Sequence, residues 1–171
     1  MRLGTIGPRG PGRPGRSRHG GCGGRAPSGS TTIARPDLAY ADTNLFVALL
    51  AGPTHPLHDP ALSIFRRVAE GTLGLIVTPV VVAELVYVTR DVVGWSRTVT
   101  AARLASLLDA DGLVLTEAAV TRRALALYGE RPRLDLADAY LAAAALEIGP
   151  AAVASFDTDL DTVDGVRRIS A

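Results

Sequence analysis

From Leu38 onward, short apolar runs alternate with longer stretches of helical periodicity. Leu38-Ala39-Tyr40-Ala41 reads as a short buried strand ending at Asp42, and Asn44 to Leu50 as a helix. Gly52, Pro53, Pro56 and Pro60 mark a loop. Asp59 followed by Pro60 supplies a cap and a first-turn proline for a helix to about Glu70, stopped at Gly71. Leu75-Ile76-Val77 is a second strand. Thr78-Pro79 repeats the cap-and-proline signal and opens a helix to about Asp91, and Ser96 caps another to about Ala110. Leu113-Val114-Leu115 is a third strand, after which Thr116 caps a helix ending near Gly129. Asp135 caps an alanine-rich helix from Leu136 to Ile148. Ala152 to Ser155 is a fourth strand, and Val166 to Ile169 a fifth. This order predicts an α/β fold, a mostly parallel central sheet of four to five short strands flanked by helices. In such sheets ligands bind beyond the carboxyl ends of strands. That rule points to the residues after Ala41 and after Ser155, and both places carry aspartates.

Residues 1–36 break the pattern. They hold ten glycines, seven arginines and no acids, with Pro8, Pro11, Pro14, Pro27 and Pro36 adding further breaks. Few apolar side chains there could offset ordering entropy, so a disordered extension is expected, with the folded domain over 37–171. It lacks the apolar centre of a secretory signal. One reading is a start codon assigned upstream of the natural one, which the abrupt onset at Leu38 favours. The others are a flexible tail and a basic arm that holds RNA phosphates.

Composition changes the picture in two ways. All 18 basic residues are arginine, and residues 37–171 hold 11 of them against all 17 acids, a balance of −6. An acidic body is unsuited to coating nucleic acid and suits one that gathers carboxylates for a metal ion. The single cysteine, Cys22, cannot form an internal disulfide, which fits a reducing cytoplasm, and rules out a zinc cluster of cysteines. No run of about 18 apolar residues lacks a charge, so no membrane span is expected.

Four acids stand out. Asp42 follows the first strand, and a helix cap is as good a reading of it alone. Glu84 lies among Val81, Val82, Leu85 and Val86, which predicts a place at the core boundary. A carboxylate there is costly without a paired charge or a metal. Asp138 falls three residues after its cap Asp135, where an acid also favours the helix dipole. Asp157 follows the fourth strand and could be a turn residue, as could Asp159 and Asp161. Together, two acids at strand ends and two on flanking helices would raise one another's pKa unless a cation lies among them. Oxygen ligands without cysteine or histidine indicate Mg²⁺ or Mn²⁺.

These segments also resemble a known family. Asp42-Thr43-Asn44, Thr78-Pro79 leading to Ala83-Glu84-Leu85, Asp135-Leu136-Ala137-Asp138-Ala139-Tyr140, and Ser155-Phe156-Asp157-Thr158-Asp159 resemble, in order and spacing, the four acidic motifs of PIN domains, and within them of VapC-like toxins. Ser155 stands where a threonine is usual and Leu160 where phenylalanine is usual. The resemblance implies a metal-dependent ribonuclease with Asp42, Glu84, Asp138 and Asp157 as catalytic metal ligands, and Asn44 and Ser155 orienting them from outside. It further implies an RNA substrate, a cognate antitoxin and a homodimer. A PIN nuclease in RNA processing and a PIN-like module that binds RNA or protein without cutting are the alternatives. Arg66, Arg67, Arg97, Arg103, Arg122 and Arg123 are candidates for phosphate contacts, though solvated helix faces explain most of them. Trp95 could stack on a base, packing being the simpler role, and His55 and His58 read as loop histidines. A phosphoaspartate enzyme fits poorly, because Asn44 occupies the place of a second aspartate and the chain has no lysine.

Overall fold

The computed structural model describes residues 36–170. The expectations placed on residues 1–35, including Cys22, lie outside them. The elements run β1 (Asp37–Tyr40), α1 (Thr43–Leu50), α2 (His58–Ala69), β2 (Leu73–Val77), α3 (Pro79–Tyr87), α4 (Arg97–Leu108), β3 (Leu113–Leu115), α5 (Ala118–Glu130), α6 (Leu136–Glu147), β4 (Ala152–Ala154) and β5 (Arg167–Ile169). A π-helical turn, Val88–Val92, extends α3, and a 3₁₀ turn, Thr158–Thr162, follows β4.

Every strand pair is parallel, which requires a crossover connection between its two strands. They form two sheets: β1-β2-β3, and β4 paired with β5. In the first, Leu38 lies opposite Gly74 and Leu75 opposite Leu113; in the second, Val153 lies opposite Arg168. The strand expected to be buried at Leu38 is exposed at all four of its positions, because β1 is the edge of its sheet. β2 is the central strand and is buried at Leu73, Leu75 and Val77.

One core serves both sheets. Ala41, Leu75 and Val77 join Leu85, Leu104 and Leu125 from the helices and Val153 and Leu160 from the β4 side. Full burial of each leucine contributes roughly 1.5–3 kcal/mol. Phe46 of α1 meets Phe65 of α2 edge-on, with ring centres 5.6 Å apart. The alanines of α6 do a different job: Ala139, Ala142 and Ala143 are fully buried, and Ala143 packs on Val120 and Ala124. Small side chains there let α5 approach closely. Gly129 serves the α4–α5 contact in the same way, since a Cβ on it would stand 2.8 Å from that of Ala101.

Helix starts follow the sequence signals in three cases. Thr78 accepts from the Val81 amide, Ser96 from Val99, and Asp135 from Asp138. Two starts differ. α2 begins at His58, so Asp59 lies inside its first turn instead of capping it. Thr116 does not cap α5: its amide and hydroxyl both donate to the Val77 carbonyl, and Glu117 caps in the left-handed conformation, φ 51°. The helix expected to run to Asp91 keeps α-geometry only to Tyr87. There the buried Thr89 hydroxyl donates to the Leu85 and Val86 carbonyls, at 2.7 and 3.2 Å, and the backbone widens into the π turn.

Candidate nuclease site

Strand polarity places the first acid. Because β1 and β2 are parallel, Asp42 lies at the same end of the three-stranded sheet as the start of α3. The chain turns there into α1, and the Asn44 amide donates to the Asp42 carboxylate at 3.1 Å. The intervening Thr43 points inward; it is buried and its hydroxyl donates to the Glu84 carboxylate. This bond joins the strand-end loop to α3. Glu84 itself is exposed, not at the core boundary: α3 buries Val81, Val82, Leu85 and Val86, and its other face carries Val80, Ala83, Glu84 and Tyr87.

The other two acids meet from separate segments. Asp138 lies in the first turn of α6, held through its amide by Asp135 at 2.9 Å. Asp157 follows β4, its amide donating to the Ser155 hydroxyl at 3.0 Å while its carboxylate accepts from the Asp159 amide at 2.8 Å. The Asp138 carboxyl is pushed above the ordinary carboxylate range by partial burial first, then by the charges and hydrogen bonding of Asp135 and Asp157. Asp138 and Asp157 are therefore neighbours.

Neighbouring acids behave differently. Asp159 pairs with Arg133, Asp161 with Arg168, Asp164 with Arg131, Asp109 with Arg122 and Glu147 with Arg123. Among the described residues, no ion pair reaches Asp42, Glu84, Asp138 or Asp157. The pairing of Asp159 and Asp161 makes them structural acids of the turn after β4.

The sequence pattern of the PIN domain matches residues 39–166. The chain belongs to the PIN domain family. No curated protein and no solved structure matches it. PIN domains are typically metal-dependent nucleases, and the chain's PIN fold carries all four acids within the matched stretch. Among the described residues no helix is long and apolar enough to cross a membrane.

The geometry divides the four candidate acids into two sets. Asp42 and Glu84 are linked through Thr43 and Asn44, and Asp138 lies with Asp135 and Asp157. Among the described residues, no three acidic, histidine or cysteine side chains stand close enough to enclose a metal ion. The donor chemistry nonetheless fits a hard divalent cation: oxygen ligands only, without ion-paired arginines, one of them, Asp138, raised by burial and by its acidic neighbours. Thr43 was missed as a site residue in the sequence, although it stands between Asp42 and Asn44. Its only signal is a hydroxyl one place after a strand-end acid.

Several candidate RNA contacts have partners within the chain. Arg103 lies over the Trp95 ring at 4.5 Å, so each occupies the other. Arg122 and Arg123 hold Asp109 and Glu147. Arg97 is half-buried and donates to backbone carbonyls, so it is no solvated helix face. His58 lies beside Asp59, and His55 accepts from the Leu57 amide. A groove of about 780 Å³ runs between α3, α5 and α6, walled by Pro79, Val80, Tyr87, Tyr140 and Leu141, and reaches Asp135 at the α6 turn.

Proposed function

We propose that this PIN domain is a Mg²⁺- or Mn²⁺-dependent endoribonuclease, the toxin of a toxin–antitoxin pair acting in the cytoplasm. The observation that carries the reading is the neighbouring pair Asp138 and Asp157, two carboxylates from separate segments with no ion pair to either among the described residues. Mutual repulsion of this kind is a cost to the fold that a divalent cation removes. Asp42, Glu84, Asp138 and Asp157 would hold the ion. When bound, it lowers the pKa of water and neutralises charge on the scissile phosphodiester.

The chain's own residues hold the donors in place. The Asn44 amide turns the Asp42 carboxylate. Thr43, locked by burial, fixes Glu84. Ser155 caps the amide of Asp157 and leaves one carboxylate oxygen of that residue outside the turn. Exposure of Asp42, Glu84 and Asp157 lets an extended polynucleotide reach them. The apolar groove ending at Asp135 supports a helical protein partner such as an antitoxin segment.

The test is cleavage of single-stranded and structured RNA with Mg²⁺ or Mn²⁺ by the wild type and by Asp42→Asn, Asp138→Asn and Asp157→Asn. Loss of cutting by at least about 100-fold in each is expected, beyond the 10–100-fold typical of outer partners. Undiminished cutting by any variant removes that residue from the site. Cutting that persists in EDTA ends the metal reading.

A further inference from the structure

Asp138 and Asp157 come from separate segments, the first turn of α6 and the turn after β4. The backbone just before each acid is gripped by a half-buried arginine from a different element. Arg97, at the first position of α4, donates from Nη2 to the Leu134 carbonyl at 2.6 Å and from Nη1 to the carbonyls of Tyr128 and Arg131 at 3.1 Å each. Its guanidinium lies over the Tyr128 ring, 3.9 Å from the centroid, which fixes its plane. Leu134 is fully buried and immediately precedes Asp135, the cap that holds the Asp138 amide. One guanidinium thus gathers the end of α5, the connecting loop and the start of α6.

Arg168, on β5, is arranged alike. Its Nε and Nη2 donate to both carboxylate oxygens of Asp161 at 2.9 and 2.8 Å, and its Nη1 reaches the Ser155 carbonyl at 3.3 Å. Ser155 in turn takes the Asp157 amide on its hydroxyl. Both arginines act on backbone carbonyls of the segments that bear the acids, and Arg168 also lies near enough to Asp157 for their charges to attract, without forming an ion pair with it. A lysine could not substitute, since one ammonium cannot span three fixed acceptors in a plane.

Building on the metal reading of the site, we propose that Arg97 and Arg168 are positioning residues that fix the two backbone segments bearing Asp138 and Asp157 as a preformed half of the metal site. Outer partners of metal ligands typically change affinity 10–100-fold when lost. The test titrates the full chain with Mn²⁺ and reads free Mn²⁺ by electron paramagnetic resonance, below the unfolding transition of every variant. Arg97→Met, Arg97→Lys, Arg168→Met and Arg168→Lys are each expected to raise the Mn²⁺ dissociation constant about tenfold or more. Val68→Ala truncates the core on α2, which bears none of the four candidate ligands, and is expected to lower the melting temperature without weakening Mn²⁺ binding. The lysine variants keep the charge and guard against a methionine variant that fails to fold. Wild-type Mn²⁺ affinity in all four arginine variants overturns the proposal while leaving the metal site intact. Equal weakening in Val68→Ala also overturns it, reducing the arginines to general stabilisers. A wild-type chain that takes up no Mn²⁺ overturns the metal reading, and this one with it.

Discussion

Asp138 sets a conflict between stability and chemistry in a single side chain. Its carboxyl is raised by burial, by Asp135 and by Asp157, so the folded state disfavours its ionised form. The sign follows from proton binding. A folded state that holds the proton more tightly than the unfolded chain loses stability as pH rises from the ordinary value of 3.8 through the raised one. Above that window the full penalty persists. Asp138→Asn removes the charge and keeps the amide that Asp135 caps. In EDTA at pH 7 the variant should melt above the wild type, and the gap should close as the pH falls below 4, while RNA cleavage is lost. Thermal melts across pH 3–8 check this. A variant that melts below the wild type at pH 7 would refute the repulsion. Tyr140 gives a second titration at this scale: burial, then its hydrogen bond to Glu117, pushes the phenol up to about 12. The contact therefore stabilises the fold up to about pH 10 and is lost as the pH climbs to about 12. Absorbance of the phenolate at high pH should show one late component, missing in Tyr140→Phe; a component that survives the substitution belongs to another tyrosine.

Between elements, close approach decides what the sequence could reveal. α4 meets α5 at Gly129, and Arg97, at the start of α4, caps the last carbonyls of α5 beside it. Gly129→Ala puts a methyl group 2.8 Å from the Ala101 Cβ, so the two helices must shift apart. It should cost roughly 1–3 kcal/mol, as overpacking does, lowering the melting temperature by several degrees. An unchanged melting temperature would show that the helices separate freely. Periodicity does not encode such contacts. The order of strands and helices was legible because each strand is a run of apolar residues, and caps such as Thr78, Ser96 and Asp135 announce helix starts by residue type. Thr116 gave the same signal and misled, because the Val77 carbonyl of β2 claims its hydroxyl. The burial expected for Leu38 and Tyr40 failed for a related reason: hydrophobicity gives a strand but not its rank in the sheet, and β1 is an edge. Glu84 was read from its apolar neighbours, yet a helix turns those neighbours to one face and the acid to the other. The four acids were readable as motifs. Their division into two sets, and the arginines that grip the backbone beside Asp138 and Asp157, depend on long-range contacts invisible in local sequence.

For the molecule as a whole, charge argues for a bound cation. The region 37–171 carries a balance of −6, and the arginines that form ion pairs, Arg122, Arg123, Arg131, Arg133 and Arg168, pair with Asp109, Glu147, Asp164, Asp159 and Asp161, not with Asp42, Glu84, Asp138 or Asp157. A cation held at the site stabilises only the folded state, by about 2.7 kcal/mol when its concentration is 100 times the dissociation constant. At this chain length that corresponds to roughly 5–10 °C in melting temperature. General screening would also relieve repulsion, so the control is NaCl at matched ionic strength. Mg²⁺ should raise the wild-type melting temperature well beyond that control. In Asp138→Asn and Asp157→Asn it should raise it no further than NaCl does, because each removes one carboxylate of the neighbouring pair. If Mg²⁺ and matched NaCl act equally on the wild type, the acids are merely screened, and the four carboxylates do not form a binding site. If Mg²⁺ stabilises the wild type and both variants alike, the ion binds elsewhere, and the assignment of Asp138 and Asp157 fails on its own.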